Sequence, residues 1–257
     1  MLSILFDIKD GVAVITLNRP EKLNSFNREM ALLLQKHLDD CKDPAIRCVY
    51  ITGAGKAFSA GQDLAEVVDP QGPGMNKILS EHYNPIVTRI KALEKPVVAA
   101  VNGVAAGAGA NIALACDIVV AAQSTSFLQA FSKIGLIPDS GGTYTLPRLV
   151  GRQKATALMM LGEKVSAADA ESMGMIYKVF DDVAFAENAF NMALFLANMP
   201  TKGLALTKQA LQASEQNSWE QQLAAEDGLQ QQAAATEDYA EGVNAFLAKR
   251  QPQFKGK

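Results

Sequence analysis

The chain has 257 residues, of which 49% are hydrophobic and 20% are charged, and its formal net charge is −3. This mild negative charge argues against a protein that binds nucleic acid without sequence preference, because such a protein needs a cationic face. Two histidines and three cysteines are too few for a conventional zinc site or a disulfide framework. We therefore expect a folded cytoplasmic protein with one large domain, alone or with an appendage.

The first third of the sequence is expected to form strands and one helix. The β-branched run Val12–Leu17 follows an Asp-Gly pair, which predicts a hairpin with residues 4–8. Asn24 and Ser25 are expected to cap a helix, since apolar residues follow them at helical spacing. Residues 46–52 are predicted to form a further strand.

The middle of the chain alternates short strands and helices. Residues 97–116 contain no charged side chain, but they are rich in Ala and Gly, which favours a buried strand, a turn and a helix over a membrane span. A strand is predicted at residues 117–122, and the alternation predicts an α/β sheet. After Asp182 only helix-forming segments remain, more than a terminal cap needs, so we expect a role in assembly.

Several common kinds of active site are excluded. His37 and His82 stand in no constellation for Ser-His-Asp catalysis. Residues 53–56 lack the spacing and the hydroxyl of a phosphate-binding loop, and residues 107–109 lack the third glycine of a dinucleotide-binding fingerprint. Metal, nucleotide-hydrolysis and NAD chemistry are therefore not indicated.

Two glycine-rich turns follow predicted strands: KAFSAGQDL at residues 56–64 and NGVAAGAGAN at residues 102–111. Glycines let the backbone approach a ligand closely and leave N–H groups free. In the second turn these N–H groups would also lie at a helix N-terminus, where the helix dipole favours negative charge. Two such donors facing one oxygen atom would make an oxyanion hole, while ordinary tight turns explain the same spacing without any function.

A third segment, FSKIGLIPDSGGT at residues 131–143, presents an acid. Asp139 follows a proline and precedes a glycine pair that is expected to open a helix. Its carboxylate could simply cap that helix. On a rigid turn within an apolar loop, it could also transfer protons. An apolar pocket with Phe131 among its walls would raise the proton affinity of the aspartate.

These segments, with VAVITLNRPEKLNSF near the N-terminus and EDYAEGVNAFLAKRQPQFKGK at the end, resemble the enoyl-CoA hydratase/isomerase, or crotonase, superfamily. The resemblance implies an α/β fold: a crotonase-like spiral of ββα units at residues 1–195, with the acyl-CoA site, and a C-terminal helical trimerisation region at residues 196–257. It also implies an acyl-CoA substrate and a homotrimer or dimer of trimers, with a partner enzyme of the same pathway as a further option. No metal or redox cofactor is expected, since CoA arrives as part of the substrate, and neither nucleic acid nor membrane is an expected partner.

The resemblance also implies roles for individual residues. It assigns the oxyanion hole to the backbone N–H groups of Ala60 and Ala108, and the proton transfer to Asp139. Lys22 is expected near the CoA phosphates, and Asp63 either lines the CoA path or makes its turn rigid. The implied substrate-binding residues are Lys22, Ala60, Gly61, Gln62, Asp63, Leu64, Gly107 and Phe131.

Two departures from the hydratases bear on the reaction. The hydratases of this superfamily carry two glutamates that position and activate water, and these fall at Asn111 and Phe131 here. Neither residue can exchange a proton, which argues against hydration of a double bond. Asp139 stands where those hydratases have glycine and where certain isomerases have an acid.

This pattern resembles the ring-1,2-epoxyphenylacetyl-CoA isomerases of bacterial phenylacetate degradation. The resemblance implies conversion of 2-(1,2-epoxy-1,2-dihydrophenyl)acetyl-CoA to an oxepin-CoA. One alternative is a Δ3,Δ2-enoyl-CoA isomerase or enoyl-CoA hydratase of fatty-acid-type β-oxidation, of which the isomerase needs the same oxyanion hole and one mobile proton. Another is a non-catalytic homologue that binds acyl-CoA or serves as a scaffold for a partner enzyme.

Overall fold

The structure, a computed structural model, describes residues 2–257, within which ten strands form two sheets. The strands are β1 (Ile4–Lys9), β2 (Val12–Leu17), β3 (Cys48–Gly53), β4 (Ala57–Ser59), β5 (Val97–Val101), β6 (Val104–Ala106), β7 (Ile118–Ala122), β8 (Ser126–Leu128), β9 (Lys164–Ser166) and β10 (Lys178–Phe180). The larger sheet has the order β1-β2-β3-β5-β7-β10 and the smaller one β4-β6-β8-β9. The predicted α/β architecture is confirmed.

Helices connect the strands and make up most of the last third of the chain. The α-helices are α1 (Arg28–Asp40), α2 (Leu64–Val68), α3 (Gly74–Lys77), α4 (Asn84–Ala92), α5 (Ala108–Ala115), α6 (Gly142–Val150), α7 (Arg152–Leu161), α8 (Ala167–Ser172), α9 (Phe185–Ala197), α10 (Thr201–Ser214), α11 (Trp219–Ala234) and α12 (Glu237–Leu247). Short 3₁₀ segments lie at Pro20–Lys22 and Ala130–Ile134, and a π-helical segment lies at Ile78–Tyr83.

The first two strands form the predicted hairpin, with Ile4 opposite Leu17. In the turn, Asp10 and Gly11 have positive φ angles of 51° and 78°. Two consecutive residues with positive φ match the right-handed twist of the flanking strands, and this explains the Asp-Gly pair. The remaining neighbours in the larger sheet are parallel.

The larger sheet is covered on both faces, as parallel strands usually are. Along β3, Val49 and Ile51 belong to the main apolar core, which includes residues of α1, α4 and α5. The alternate residues Cys48 and Tyr50 pack on the other face with alanines of α9. The boundary expected between residues 195 and 196 therefore falls inside a helix that packs on the core sheet.

The smaller sheet brings the motif-bearing segments together. Strands β4, β6 and β8 run parallel, so their carboxyl ends meet at one edge of the sheet. Each glycine-rich segment contains one of these strands: residues 60–63 follow β4, residues 107–108 follow β6, and residues 129–131 follow β8. Loops at the carboxyl ends of parallel strands are a common place for ligand sites in α/β proteins.

One predicted helix cap is wrong. Asn27, rather than Asn24 or Ser25, caps α1, and its side chain accepts a hydrogen bond from the backbone N–H of Met30 at 3.0 Å. Asn24 is fully buried, and its amide instead donates to the carbonyl oxygens of Ala54 and Ala57. The residue fixes a loop, and the helix begins four residues later.

The apolar stretch at residues 97–116 forms the predicted strand and helix, β5 and α5. Between them, where only a turn is predicted, residues 104–106 form a further strand, β6, of the smaller sheet. Among residues 2–257, none of the helices combines the length and the apolar character needed to cross a bilayer.

Candidate active site

The first glycine-rich turn uses most of its backbone groups to hold the chain together. Ala60 donates its N–H to the carbonyl oxygen of Leu23 at 2.9 Å. Phe26 donates to the carbonyl of Gly61 and accepts from the N–H of Asp63, at 2.7 and 2.8 Å. The assignment of the Ala60 N–H to an oxyanion hole is therefore wrong, because that donor already has a protein acceptor.

Gln62 provides the free donor in this turn. It pairs with Phe26 in an isolated parallel bridge, in which the carbonyl group of Gly61 and the N–H group of Asp63 both point towards Phe26. Successive peptide groups of an extended chain point in opposite directions, so the N–H of Gln62 points away from Phe26. It donates to no protein atom within residues 2–257. The motif alone does not show whether residue 60 or residue 62 has the free N–H group. The answer depends on how this turn pairs with residues 23–26, which lie outside the motif.

The second turn supplies another free donor, as predicted from the sequence. Ala108 is the first residue of α5, and its N–H has no acceptor among the described residues. Gly107 precedes it with a positive φ of 53° and no side-chain cap. The N–H groups in the first turn of a helix have no acceptor within the helix, and they lie at the positive end of the helix dipole.

The two turns are in contact through Gly61. A Cβ atom on this residue would lie 2.9 Å from the carbonyl oxygen of Ala106 and 3.3 Å from the backbone nitrogen of Ala108. Gly61 also has a φ of 88°, so both the space and the backbone angle require glycine. The free N–H groups of Gln62 and Ala108 thus belong to one small region, where a pair of donors can stabilise negative charge on a single oxygen.

Asp139 lies half-buried in the loop between the 3₁₀ segment Ala130–Ile134 and α6. Burial raises the pKa of its carboxyl group, as expected from apolar surroundings, while a hydrogen bond from the Ser140 hydroxyl at 2.8 Å acts in the opposite direction. The carboxylate does not cap α6, which has no side-chain cap. The main-chain oxygen of Asp139 accepts from the N–H of Gly142 at 2.8 Å instead, so the carboxylate remains available for proton transfer.

The two positions that carry glutamates in hydratases hold buried side chains without an ionisable group. Asn111, on α5, donates to the main-chain oxygen of Asp139 at 2.8 Å and accepts from the side chain of Gln129, also at 2.8 Å. Phe131 lies near Gly107, where an added Cβ would be 3.7 Å from its ring. Asp139 is therefore the carboxylate that this side of the site offers.

Asp63 makes its turn rigid. Its carboxylate forms an ion pair with Arg19 at 2.9 Å and accepts the N–H of Ala65 at 3.1 Å as the cap of α2. Burial by itself would raise the pKa of Asp63, but these hydrogen bonds lower it overall. Leu64 is exposed on α2, and Lys22 is exposed near Asp63, whose negative charge it stabilises.

No motif in the sequence assigns a role to Tyr83, although residues 69–83 are expected among the walls of the acyl pocket. Its side chain is fully buried at the end of the π-helical segment, and its hydroxyl donates to Oε1 of Gln62 at 2.8 Å. The Nε2 of Gln62 in turn donates to Glu66 at 2.9 Å. Burial raises the pKa of the tyrosine, and the negative charge of Asp139 adds to this effect. π-Helical turns often occur at functional sites, but no sequence pattern announces this one.

No group of three or more His, Cys, Asp or Glu side chains within residues 2–257 is arranged to hold a metal ion. The groups that the site offers are the backbone donors of its two turns and the carboxylate of Asp139.

Comparisons with known proteins extend over nearly the whole chain. The family model described as enoyl-CoA hydratase/isomerase matches residues 7–257. The 1,2-epoxyphenylacetyl-CoA isomerase of Escherichia coli (strain K12) is 52% identical, over 99% of this chain and 98% of that protein. A probable enoyl-CoA hydratase of Rhodobacter capsulatus is 44% identical, over 99% of this chain and 98% of that protein. A putative enoyl-CoA hydratase/isomerase from Mycobacterium abscessus has a crystal structure with a TM-score of 0.94 and 37% identity, covering 99% of this chain and 100% of that one.

Proposed function

This chain belongs to the enoyl-CoA hydratase/isomerase, or crotonase, family, and we propose that it is an acyl-CoA isomerase of phenylacetate degradation. Its proposed substrate is 2-(1,2-epoxy-1,2-dihydrophenyl)acetyl-CoA, and the product is the isomeric oxepin-CoA. The 52% identity to the E. coli 1,2-epoxyphenylacetyl-CoA isomerase supports this choice among the reactions of the family.

In the proposed reaction the thioester carbonyl oxygen lies between the N–H groups of Gln62 and Ala108. These donors stabilise the oxygen as it gains enolate character, and so they acidify the carbon next to the carbonyl. Loss of one such donor typically costs about 10²–10³-fold in rate. The free state of both N–H groups and the contact between their turns support this role.

Asp139 carries the proton in this proposal. Its carboxylate removes a proton from the carbon beside the thioester and returns it to another carbon while the epoxide ring rearranges. The net reaction gains and loses no atom. The proposal depends on one observation: of Asn111, Phe131 and Asp139, the half-buried Asp139 is the residue that can exchange a proton. Burial also raises the pKa of this carboxyl group. A raised pKa brings a carboxyl group nearer to the range in which it both accepts and donates protons at neutral pH.

A double-bond shift in a linear 3-enoyl-CoA is the second candidate. It needs the same pair of backbone donors and one carboxylate that moves a single proton. Hydration needs a second group to activate water, and the residues at the two glutamate positions do not supply one.

A side-by-side assay of the purified protein tests the proposal. We expect faster turnover of the ring epoxide than of a linear 3-enoyl-CoA, and slower hydration of a 2-enoyl-CoA than either. Turnover of the linear 3-enoyl-CoA alone would establish the second candidate. Rapid hydration would contradict the proposed isomerase, and tight acyl-CoA binding without turnover would indicate a binding or scaffolding homologue.

We also propose that the enzyme is a homotrimer, or a dimer of trimers, built through its C-terminal helices. Leu229 is the one residue of α11 that is buried within this chain. Large apolar side chains are exposed on the same helices, among them Trp219, Phe246 and Leu247, at 72%, 83% and 74% exposure. Exposed apolar surface of this extent is typical of an interface. Light scattering after gel filtration should give three or six times 27.4 kDa, and a mass of 27.4 kDa would contradict assembly.

A further inference from the structure

We propose that Asn111 is a positioning residue: it ties the loop that carries Asp139 to helix α5, which carries the N–H donor of Ala108, and Gln129 fixes the orientation of the Asn111 amide. The proposal rests on the proposed function, because it explains how the carboxylate and the oxyanion donors keep one relative position. It also gives a role to the residue that replaces a hydratase glutamate.

The hydrogen bonds fix the direction of both amides. The main-chain oxygen of Asp139 can only accept, so the atom of Asn111 that lies 2.8 Å from it must be the Nδ2 donor. The Oδ1 atom then faces Gln129, and it accepts from Nε2 at 2.8 Å. If either amide were reversed, two donors or two acceptors would face each other.

Both amides are almost completely shielded from water. Asn111 is 1% exposed and Gln129 is 3% exposed. The Oε1 of Gln129 has no hydrogen-bond donor among the described residues. A buried acceptor without a donor is unfavourable, so the bond from Nε2 to Asn111 has to offset this cost. The presence of glutamine is explained if its Nε2 is needed to hold Asn111.

Helix α6 also packs closely on the Asn111 amide. A Cβ atom on Gly142 would lie 2.3 Å from Nδ2 and 2.6 Å from Cγ of Asn111. Glycine at this position therefore allows the first residue of α6 to lie against the amide. The Asp139 main-chain oxygen accepts hydrogen bonds from both Gly142 and Asn111, at 2.8 Å each.

The loop has few other connections to the site. Residues 132–137 are exposed, and Ile137 has 80% of its surface accessible. Within residues 2–257, Asn111 makes the only side-chain hydrogen bond that reaches residues 135–140 from outside the loop. Asn111 lies three residues after Ala108, about one helical turn, so a single short helix carries both the oxyanion donor and the tie to the proton carrier.

Replacing Asn111 with leucine tests the tie, because leucine has a similar shape and makes no hydrogen bond. We expect Asn111→Leu to lower kcat by about 10-fold to 100-fold, since small misplacements of a reacting group have effects of this size. The KM for the acyl-CoA should change little, because neither Asn111 nor Gln129 is among the residues expected to bind CoA. Gln129→Met keeps the bond to Asp139 and should have a smaller effect, and the double variant should be no worse than Asn111→Leu.

A matched control removes a buried hydrogen bond of the same kind away from the loop. The Thr125 hydroxyl donates to the main-chain oxygen of Val101 at 2.9 Å, and the residue is 2% exposed. Thr125→Val should lower Tm as much as Asn111→Leu does, without lowering kcat. Equal losses of kcat in the two variants would overturn the proposal, because they would indicate a general effect of stability.

Hydrogen exchange gives a readout that needs no substrate. Amides of residues 135–142 should exchange faster in Asn111→Leu than in the wild type, while those of α9 stay unchanged. Unchanged exchange in the loop together with unchanged kcat would overturn the proposal. If the wild type acts on neither isomerase substrate and the loop still loosens, the tie is supported and only the proposed reaction fails.

Discussion

The proposed oxyanion region and the loop with the proposed proton carrier, Asp139, are built in opposite ways. The first consists of backbone from two partly buried turns, where the chain is packed so closely that a Cβ atom on Gly109 would lie 2.6 Å from the main-chain oxygen of Ser59. The second is a largely exposed loop with one functional side chain, Asp139, and one tie to α5. Backbone donors depend on the path of the chain, whereas the reaction depends on which side chain the loop presents.

This difference explains why one fold can serve several reactions. The close packing of the two turns leaves little freedom for substitution, so we expect the proposed oxyanion site to stay the same while the loop changes. The loop can exchange its acid without disturbing the turns. Changes in the two regions should therefore have different consequences, and the following variants test whether they do.

Asp139→Asn should have the largest effect, because it removes the proposed proton carrier and keeps the shape of the side chain. We expect turnover to fall by about 10²–10⁴-fold. Burial disfavours the ionised carboxylate, so the folded state gains nothing from its charge, and Tm at neutral pH should be equal or slightly higher. Steady-state rates and a thermal melt check this expectation, and full turnover would show that the loop does not carry the chemistry.

Gly61→Ala should damage the oxyanion region by a similar or smaller amount. The new Cβ would press on Ala106 and Ala108, and we expect kcat/KM to fall by about 10²–10³-fold. Gly151→Ala is the matched control, because Gly151 also has a positive φ, 77°, but has open space around its Cβ position. If both variants lost the same activity, backbone strain rather than the contact between the turns would be responsible.

Tyr83→Phe should have a modest effect, since it removes one hydrogen bond to the side chain of Gln62 and keeps the aromatic ring. One neutral hydrogen bond is worth about 0.5–1.5 kcal/mol, which corresponds to a loss of about 2-fold to 10-fold in kcat. Tyr50→Phe, on the opposite face of the larger sheet, should leave kcat unchanged. Identical kinetics of the two variants would mean that the Gln62 side chain does not support the oxyanion region.

Ser140→Ala should change the pH dependence more than the maximal rate. The Ser140 hydroxyl stabilises the ionised carboxylate of Asp139, so its removal should raise the pKa of Asp139 further. If Asp139 acts first as a base, kcat/KM falls at low pH as the carboxylate becomes protonated. In the variant, this low-pH limb of the profile should move to higher pH. A pH profile that stays in place would show that another group controls the limb.

The fold could be predicted from the sequence where the signals are local. The Asp-Gly hairpin, the glycine before α5 and the four C-terminal helices all follow from neighbouring residues, and the structure confirms them. The cap of α1 could not be assigned correctly, because Asn24 is held by residues 54 and 57, which are distant in sequence.

The site residues also differ in whether they depend on neighbouring residues or on contacts that are distant in sequence. The family resemblance implies Ala108, and the structure places its N–H at the start of a helix, where it has no acceptor within the helix. Gln62 could not be distinguished from Ala60, since the difference depends on which peptide groups pair with residues 23–26. Tyr83 reaches the site from a π-helical segment whose position depends on tertiary packing, and no local pattern indicates it.

Proton exchange on a saturated thioester tests the central claim most directly, that backbone donors and Asp139 together form and quench an enolate. Phenylacetyl-CoA in D₂O presents the acidified carbon without any bond that can rearrange. We predict that the wild-type enzyme incorporates deuterium at the carbon beside the thioester, as measured by NMR, and that Asp139→Asn does not. Equal incorporation by the two proteins, or none by a wild type that turns over the ring epoxide, would contradict the account.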